Sequence, residues 1–103
     1  MVTVGAIVLI GPKTCPNCAA TQSRIETKFD TVVKKVTIDH DNAEHVRLIA
    51  TATDQGYKEA PIIVHEHDDG TLDYIAAGIS MLAQTATDVY IKSHRDALAT
   101  AGA

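Results

Sequence analysis

Apolar residues concentrate in two N-terminal segments whose patterns predict strands with different environments. The segment Thr3–Ile10 is almost continuously apolar and rich in β-branched residues, which is typical of a strand that is buried on both faces of a sheet. The segment Val32–Asp39 alternates only in part and contains Lys34 and Lys35, which require a solvated side. We therefore expect a central first strand and a second strand at an edge of the sheet.

Helical periodicity predicts three helices between and after the strands. The first runs from Pro16 to about Lys28 or Phe29, and the second follows a cap at Asp41 or Asn42 and ends at Gly56. Glu44 has the spacing of a capping-box partner for Asp41. The third follows a cap at Ser80 and runs from Met81 to about Ala99. The positions expected to face the core are Cys18, Ile25 and Phe29 in the first helix, Val46, Ile49 and Ala50 in the second, and Leu82, Ala86, Val89, Tyr90 and Ala97 in the third.

A β-hairpin is predicted in the second half of the chain. Pro61 opens a short apolar strand, and the turn residues Asp68-Asp69-Gly70 separate Ile62–His65 from Thr71–Ile75. The element order is therefore βαβαββα. Since the first two strands are joined by a helix and the last two by a turn, we predict an α/β fold with a four-stranded mixed sheet, strand order 2-1-3-4, and helices on both faces.

Composition limits the classes of function. The 103 residues suit one domain, 1–103, whose last residues, about 100–103, we expect to fray. A net charge of −4 and no basic stripe argue against nucleic acid as a partner. The apolar run at the N-terminus is not preceded by basic residues and is shorter than the ~20 residues that cross a bilayer, so we expect a monomeric cytoplasmic protein that does not bind membranes.

The only two cysteines, Cys15 and Cys18, lie three positions apart between the first strand and the first helix. This placement is typical of a redox dithiol, and in the cytoplasm a single pair of cysteines is more often catalytic or metal-binding than structural. With Cys15 as N-cap and Pro16 as first helical residue, the free N–H groups and the helix dipole favour a thiolate on Cys15, and Lys13 adds positive charge. We predict that Cys15 is the nucleophile and Cys18 the resolving thiol.

Two other interpretations of the cysteines remain open, a buried structural pair and half of a zinc site. The best-defined metal alternative adds His65 and His67 to Cys15 and Cys18. We disfavour it because alternate residues of a strand point to one face, whereas Zn²⁺ requires ligands that converge tetrahedrally. We therefore expect no bound metal, and we expect His65 and His67 to lie on a solvated face of the hairpin.

Three motifs give the chain a resemblance to a known family. They are Cys15-Pro16-Asn17-Cys18, the stretch from Gly56 to Val64 that contains Ala60-Pro61, and Ala76-Ala77-Gly78. In these motifs, from Val4 to about Ser80, the chain resembles the glutaredoxin-like NrdH-redoxins of the thioredoxin-fold superfamily. The resemblance implies a thioredoxin/glutaredoxin-like fold and a cis Ala60–Pro61 bond facing the dithiol, beside a groove for an extended partner segment.

The resemblance also implies a function. The expected activity is thiol–disulfide oxidoreduction, with the Cys15–Cys18 disulfide as the redox centre and no bound cofactor. Electrons would come from NADPH through thioredoxin reductase and pass to protein disulfides, with ribonucleotide reductase as the natural client. The expected partner-binding positions are Lys13, Thr14, Pro16, Asn17, Ala60, Pro61 and Gly78.

Other functions remain alternatives. Within the same class, glutathione could be the reductant, because Cys-Pro-x-Cys is the dithiol form that glutaredoxins use. From a different class, the chain could carry a metal ion or an iron–sulfur cluster, or serve only as a binding module.

Overall fold

A computed structural model describes residues 5–29 and 31–98 of the chain. Within these ranges the chain forms the predicted succession of strands and helices, followed by a short 3₁₀ helix. The elements are β1 (Ala6–Gly11), α1 (Pro16–Phe29), β2 (Val33–Thr37), α2 (Ala43–Asp54), β3 (Ile62–Glu66), β4 (Leu72–Ala77), α3 (Met81–Ser93) and the 3₁₀ helix Arg95–Ala97. Thr3 and Val4 of the predicted first strand, and the predicted frayed tail, lie outside the described residues.

The central position of β1 organises the sheet. β1 pairs with β2 in parallel and with β3 in antiparallel orientation, while β3 and β4 form the hairpin. The strand order of the described sheet is β2-β1-β3-β4, which confirms the predicted α/β topology. Every residue of β1 is buried, as its continuous apolar sequence predicts.

Alternate residues of β1 enter two separate cores. Ile7 and Leu9 pack in a cluster with Ile25 of α1 and Ile91 of α3. Val8 and Ile10 pack on the opposite face, in a cluster that includes residues of α2. The prediction of helices on both faces is therefore confirmed, and the sheet forms the middle of three layers.

The predicted inward stripe of α2 is wrong at two of its three positions. Val46 and Ala50 are exposed, and Ala52 is the buried residue of this helix. Apolar side chains occupy most positions from 46 to 52, so the pattern fits two neighbouring stripes that share Ile49. The helix turns Leu48, Ile49 and Ala52 toward the sheet, because that stripe fits the apolar face of the strands.

The third helix is shorter and rotated relative to the prediction. It ends at Ser93, the 3₁₀ helix follows, and Leu98 forms a parallel bridge to Gly5, so a helix to Ala99 is wrong. Leu82 and Val89 are exposed instead of inward. The buried positions are Ala83, Thr87 and Ile91. Small residues let α3 approach the sheet closely, and the Thr87 hydroxyl is satisfied by donating to the Ala83 carbonyl (2.8 Å).

The helix caps follow the predicted residue types. Ser80 Oγ accepts a hydrogen bond from the Ala83 N–H, and Asn42 Oδ1 caps α2 in place of the alternative with an Asp41 capping box. Gly56 has a φ of +93° and follows the end of α2, where the Tyr57 N–H donates to the Ala52 carbonyl (2.9 Å). This pattern is a Schellman ending, for which glycine is the favoured residue.

The prediction that His65 lies on a solvated face is wrong. Its side chain is fully buried at the end of β3, and both ring nitrogens have partners. Nδ1 lies 2.7 Å from the Tyr90 hydroxyl, and Nε2 lies 3.1 Å from the Ala97 carbonyl oxygen. The sequence pattern missed this because the partners come from α3 and the segment after it, which cover this end of the sheet. His67, on the same face, is only half-buried.

None of the helices in the described ranges is both long and apolar enough to cross a membrane.

An ion-pair group joins α1 to α3 across the outside of one core. The Asp88 carboxylate accepts hydrogen bonds from Arg24 Nη1 and Lys28 Nζ, both at 2.8 Å. Burial alone would raise the pKa of Asp88, but the hydrogen bonds from Lys28 and Arg24 outweigh it, so the pKa lies below its usual value. The charged carboxylate therefore contributes to stability.

We predict that Asp88→Asn lowers the free energy of unfolding by about 1 kcal/mol at pH 7. Since the folded-state pKa of Asp88 is lowered, its contribution is complete above the unfolded value of about 3.9 and is lost as pH falls through the folded value. Urea titrations at pH 7 and at pH 2.5 measure how much the free energy of unfolding of Asp88→Asn differs from that of the native chain. Glu26→Gln, on the exposed side of α1, is the control. An equal loss at the two pH values would contradict the ion-pair explanation.

Candidate active site at the start of the first helix

The two cysteines lie where β1 leads into α1. β1 ends at Gly11, a short loop follows, and α1 begins at Pro16, so Cys15 immediately precedes the helix. A disulfide bond joins Cys15 to Cys18, with 5.2 Å between their Cα atoms. The helix start confirms the predicted position of the cysteines and of Pro16, whose missing N–H would have no partner in the first turn.

The two sulfurs differ in accessibility. Cys18 is fully buried, whereas Cys15 is half-buried. Lys13 and Thr14 before Cys15, and Pro16 and Asn17 after it, are all exposed. An incoming thiol or disulfide can therefore approach Cys15 from solvent, while Cys18 is shielded by the protein.

A backbone donor points at the accessible sulfur. The Cys18 N–H lies 3.1 Å from Cys15 Sγ, and the same N–H also lies 3.1 Å from the Cys15 carbonyl oxygen. This N–H belongs to the first turn, where the backbone N–H groups have no carbonyl four positions earlier within the helix. A hydrogen bond of this kind stabilises a negative charge on the sulfur when the disulfide is reduced.

Gly11 forms the surface on which the disulfide packs. A Cβ atom built on Gly11 would lie 2.5 Å from Cys18 Sγ and 3.4 Å from Cys15 Sγ, so a side chain there would displace the disulfide. The sequence pattern ends the first strand at Ile10 and does not predict this role of Gly11. The glycine directly after the buried run was the available indication, because a glycine at the end of a buried strand often marks a close approach.

The second part of the site is the turn into the hairpin. The Ala60–Pro61 peptide bond is cis. The Pro61 carbonyl accepts a hydrogen bond from the Gly78 N–H (2.9 Å), which brings together the start of β3 and the end of β4. Gly78 has a φ of +84°, and a Cβ there would collide with the Glu59 side chain, so both backbone and space favour glycine.

A surface groove connects these two parts. It has a volume of about 550 Å³. Its lining residues are Asn17, Glu59, Ala60, Gly78, Ile79 and Ser80. The groove therefore brings predicted partner-binding positions of the dithiol turn and of the hairpin onto one surface. Sequence reasoning missed Glu59, Ile79 and Ser80, because their position in the groove depends on the pairing of β3 with β4.

A second, smaller groove of about 180 Å³ lies on the other side of Glu59 and Ala60. Pro12 from the loop after β1 and His40 from the loop after β2 contribute to it, together with Tyr57. The two grooves share Glu59 and Ala60, so they form neighbouring parts of one accessible surface.

The metal alternative that joins the cysteines to the hairpin histidines is not assembled. Ile10, at the dithiol end of β1, pairs with Ile62, whereas His65 pairs with Ile7 near the opposite end. The cysteines and the two histidines therefore lie at opposite ends of the sheet and cannot share an ion.

We predict that Gly11→Ala disturbs the dithiol. The new methyl group must displace Cys18 Sγ, which we expect to lower the free energy of unfolding of the oxidised protein by about 1–3 kcal/mol and to change the rate at which dithiothreitol reduces the disulfide. Thermal unfolding and stopped-flow reduction measure the two effects.

Gly70→Ala is the matched control for this substitution. Gly70 has a φ of +89° and open space around it, so alanine there strains only the hairpin turn. We expect a loss of stability without a change in the reduction rate. Native reduction kinetics in Gly11→Ala would show that Gly11 has no role in holding the disulfide.

Comparison of the chain with protein-family models, with curated proteins and with solved structures finds no significant match.

Proposed function

We propose that this protein is a dithiol thiol–disulfide oxidoreductase with a thioredoxin/glutaredoxin-like fold, and that it carries electrons to the disulfides of other proteins. The observation that carries the proposal is the disulfide at the start of α1, with Cys15 accessible and Cys18 fully buried. A structural disulfide needs no such difference between its sulfurs. A redox pair does, because one thiol must react with the substrate while the other stays shielded until it resolves the mixed disulfide.

In the reduced protein the Cys15 thiolate attacks one sulfur of a substrate disulfide. A mixed disulfide forms, and the other substrate sulfur leaves as a thiolate. The Cys18 thiolate then attacks Cys15 Sγ, so the second substrate sulfur leaves and the Cys15–Cys18 bond forms. Two electrons pass from the dithiol to the substrate, and the released thiolates take protons from solvent.

The division of roles has local support. The N–H of Cys18 donates to Cys15 Sγ, and the start of α1 adds the positive end of the helix dipole, so the thiolate is stabilised on the sulfur that attacks. Cys18 is only three positions away, with 5.2 Å between the two Cα atoms, so the sulfurs can bond without movement of the backbone.

The groove beside the dithiol supports a peptide substrate. An extended segment lying between Asn17 and Gly78 would pass over Ala60, with its disulfide next to Cys15. Extended segments bind such surfaces through backbone hydrogen bonds and side-chain pockets. The exposed Ile79 beside Gly78 offers an apolar contact at the rim.

The source of electrons follows from the family resemblance. We propose that NADPH reduces the protein through thioredoxin reductase in the cytoplasm, that ribonucleotide reductase is a client, and that the carrier acts as a monomer. Glutathione is the second candidate for the reductant, favoured by Pro16 in the Cys-Pro-x-Cys motif.

We predict opposite behaviours for the two single cysteine variants. Cys18→Ser should accumulate mixed disulfides with substrate, because resolution is blocked, while Cys15→Ser should lose insulin reduction and trap nothing. Non-reducing gels and insulin turbidity measure both properties, with the double serine variant giving the background. Insulin reduction by Cys15→Ser at the native rate would overturn the assignment of roles.

The reductant is tested by NADPH oxidation in two separate assays with insulin and a small mixed disulfide as acceptors. One contains thioredoxin reductase, and the other contains glutathione and glutathione reductase. We expect NADPH consumption with thioredoxin reductase. Activity only with glutathione would contradict that assignment and leave the oxidoreductase proposal standing, whereas inactivity in both assays and with dithiothreitol would contradict the proposal itself.

A further inference from the structure

A second group of chemically active side chains lies at the end of the sheet opposite the dithiol. It consists of His65, His67, Asp73 and Tyr90, which we call the His65 cluster. His65 Nδ1 lies 2.7 Å from the Tyr90 hydroxyl oxygen, and His67 Nε2 lies 2.7 Å from Asp73 Oδ2. The Tyr90 oxygen lies 3.3 Å from the same Asp73 oxygen. Two imidazoles, a carboxylate and a phenol thus direct their polar atoms toward one point.

The hydrogen bonds of His65 determine its tautomer. Its Nε2 lies 3.1 Å from the Ala97 carbonyl oxygen, which can only accept, so Nε2 carries the proton. Nδ1 therefore presents its lone pair to the cluster. Metal-binding histidines commonly donate the N–H of their second nitrogen to a carbonyl or carboxylate, which holds the ring in the ligating orientation. Full burial of His65 adds to this rigidity.

The cluster has more acceptors than hydrogens. The Tyr90 hydroxyl has one hydrogen for two acceptors, because its oxygen lies 2.7 Å from His65 Nδ1 and 3.3 Å from Asp73 Oδ2, to which the hydroxyl can also donate. The carboxylate receives a hydrogen bond from His67 Nε2. These groups form a good environment for a cation, because the lone pair of a buried nitrogen, a phenol oxygen and a carboxylate converge there.

We propose that His65, His67 and Asp73 form a binding site for a divalent transition-metal ion of the zinc type. One ligand atom from each residue lies within 4.8 Å of the other two. Two imidazole nitrogens and one carboxylate oxygen are three protein ligands of a common zinc set, with a fourth position open for water or for the Tyr90 oxygen. This inference does not depend on the proposed redox function.

Small side-chain movements would complete the geometry. Ligand atoms on a tetrahedral zinc ion lie roughly 3.3 Å apart, since the bonds are about 2.0–2.1 Å long. The ligand atoms of His67 and Asp73, which lie 2.7 Å apart, must therefore move apart. The two ligand atoms that are farthest from each other must move closer together. Asp73 is exposed and His67 half-buried, so both can adjust around the fixed His65, and the ion can enter from solvent. His67 would bind through Nε2 after its proton moves to Nδ1.

The donor set also selects among metal ions. Imidazole nitrogen favours Zn²⁺, Co²⁺, Ni²⁺ and Cu²⁺, whereas Mg²⁺ and Ca²⁺ prefer shells of oxygen. The site would tie β3 to β4, because His65 belongs to β3, His67 directly follows β3, and Asp73 belongs to β4. Metal binding would therefore stabilise the folded chain.

The test is isothermal titration calorimetry of the oxidised, metal-free protein with ZnCl₂. The disulfide keeps both cysteine sulfurs out of the metal's coordination, so the signal reports other ligands. We predict one Zn²⁺ per chain, a higher melting temperature with Zn²⁺, and the absorption of tetrahedral Co²⁺ when cobalt replaces zinc. MgCl₂ should give none of these effects.

Three variants locate the site. His67→Ala and Asp73→Asn should each weaken Zn²⁺ binding at least about tenfold, because each removes a ligand from a side chain that is not deeply buried. His40→Ala, an exposed histidine outside the cluster, is the control and should bind as the native chain does. The metal-free melting temperatures show that the variants fold.

The absence of Zn²⁺ binding to the native chain at millimolar concentration would overturn the proposal. So would native affinity in both His67→Ala and Asp73→Asn, or an equal loss in His40→Ala, which would indicate nonspecific binding to surface imidazoles.

Discussion

The burial of β1 on both faces is the constraint from which the rest of this structure follows. A strand with apolar side chains on both faces requires a helical layer on each side of the sheet. In this chain α1 and α3 cover one face and α2 covers the other. The same burial requires a partner for each edge of β1, and β2 and β3 supply them. The end of this fixed strand is Gly11, and the disulfide packs directly on it. The packed core thus supports the turn that carries the disulfide.

The dithiol acquires its asymmetry from this support. α1 lies over the core through Ile25 and Phe29, which places Cys18 on the buried side of the first turn and leaves Cys15 at its open edge. The hairpin then brings Ala60 and Gly78 to the same surface as Asn17. The proposed reactivity and the proposed partner contact therefore depend on one packing arrangement, in which a rigid scaffold carries an accessible loop.

The opposite end of the sheet carries different chemistry. His65 is held by Tyr90 and by the backbone at Ala97, so its position depends on α3 and on the segment that bridges Leu98 to Gly5. The pKa of His65 is lowered, mainly because burial disfavours the charged ring and also because His67 lies close. Burial and the neighbouring Asp73 raise the pKa of Tyr90 to about 12, so its hydroxyl remains a donor at neutral pH. Since β1 and β3 separate the two ends, each site can be changed without direct contact with the other.

The sequence by itself determined the element order, the sheet topology, the helix start at Pro16 and the turns at Gly56 and Gly70, because these depend on local periodicity, capping and backbone freedom. It also placed Cys15 immediately before α1 and Cys18 in the first turn of that helix. It could not determine which side of α2 and α3 faces the sheet, because apolar residues occupy more than one side of both helices. For that reason the inward positions predicted at Val46, Ala50, Leu82 and Val89 are wrong. Only the tertiary structure decided the close approach of Gly11 to the sulfurs, the groove beside Asn17 and the burial of His65. The groove and the burial of His65 depend on contacts between segments distant in sequence, which no local pattern encodes. The approach of Gly11 depends on how the loop into α1 folds back over the end of β1.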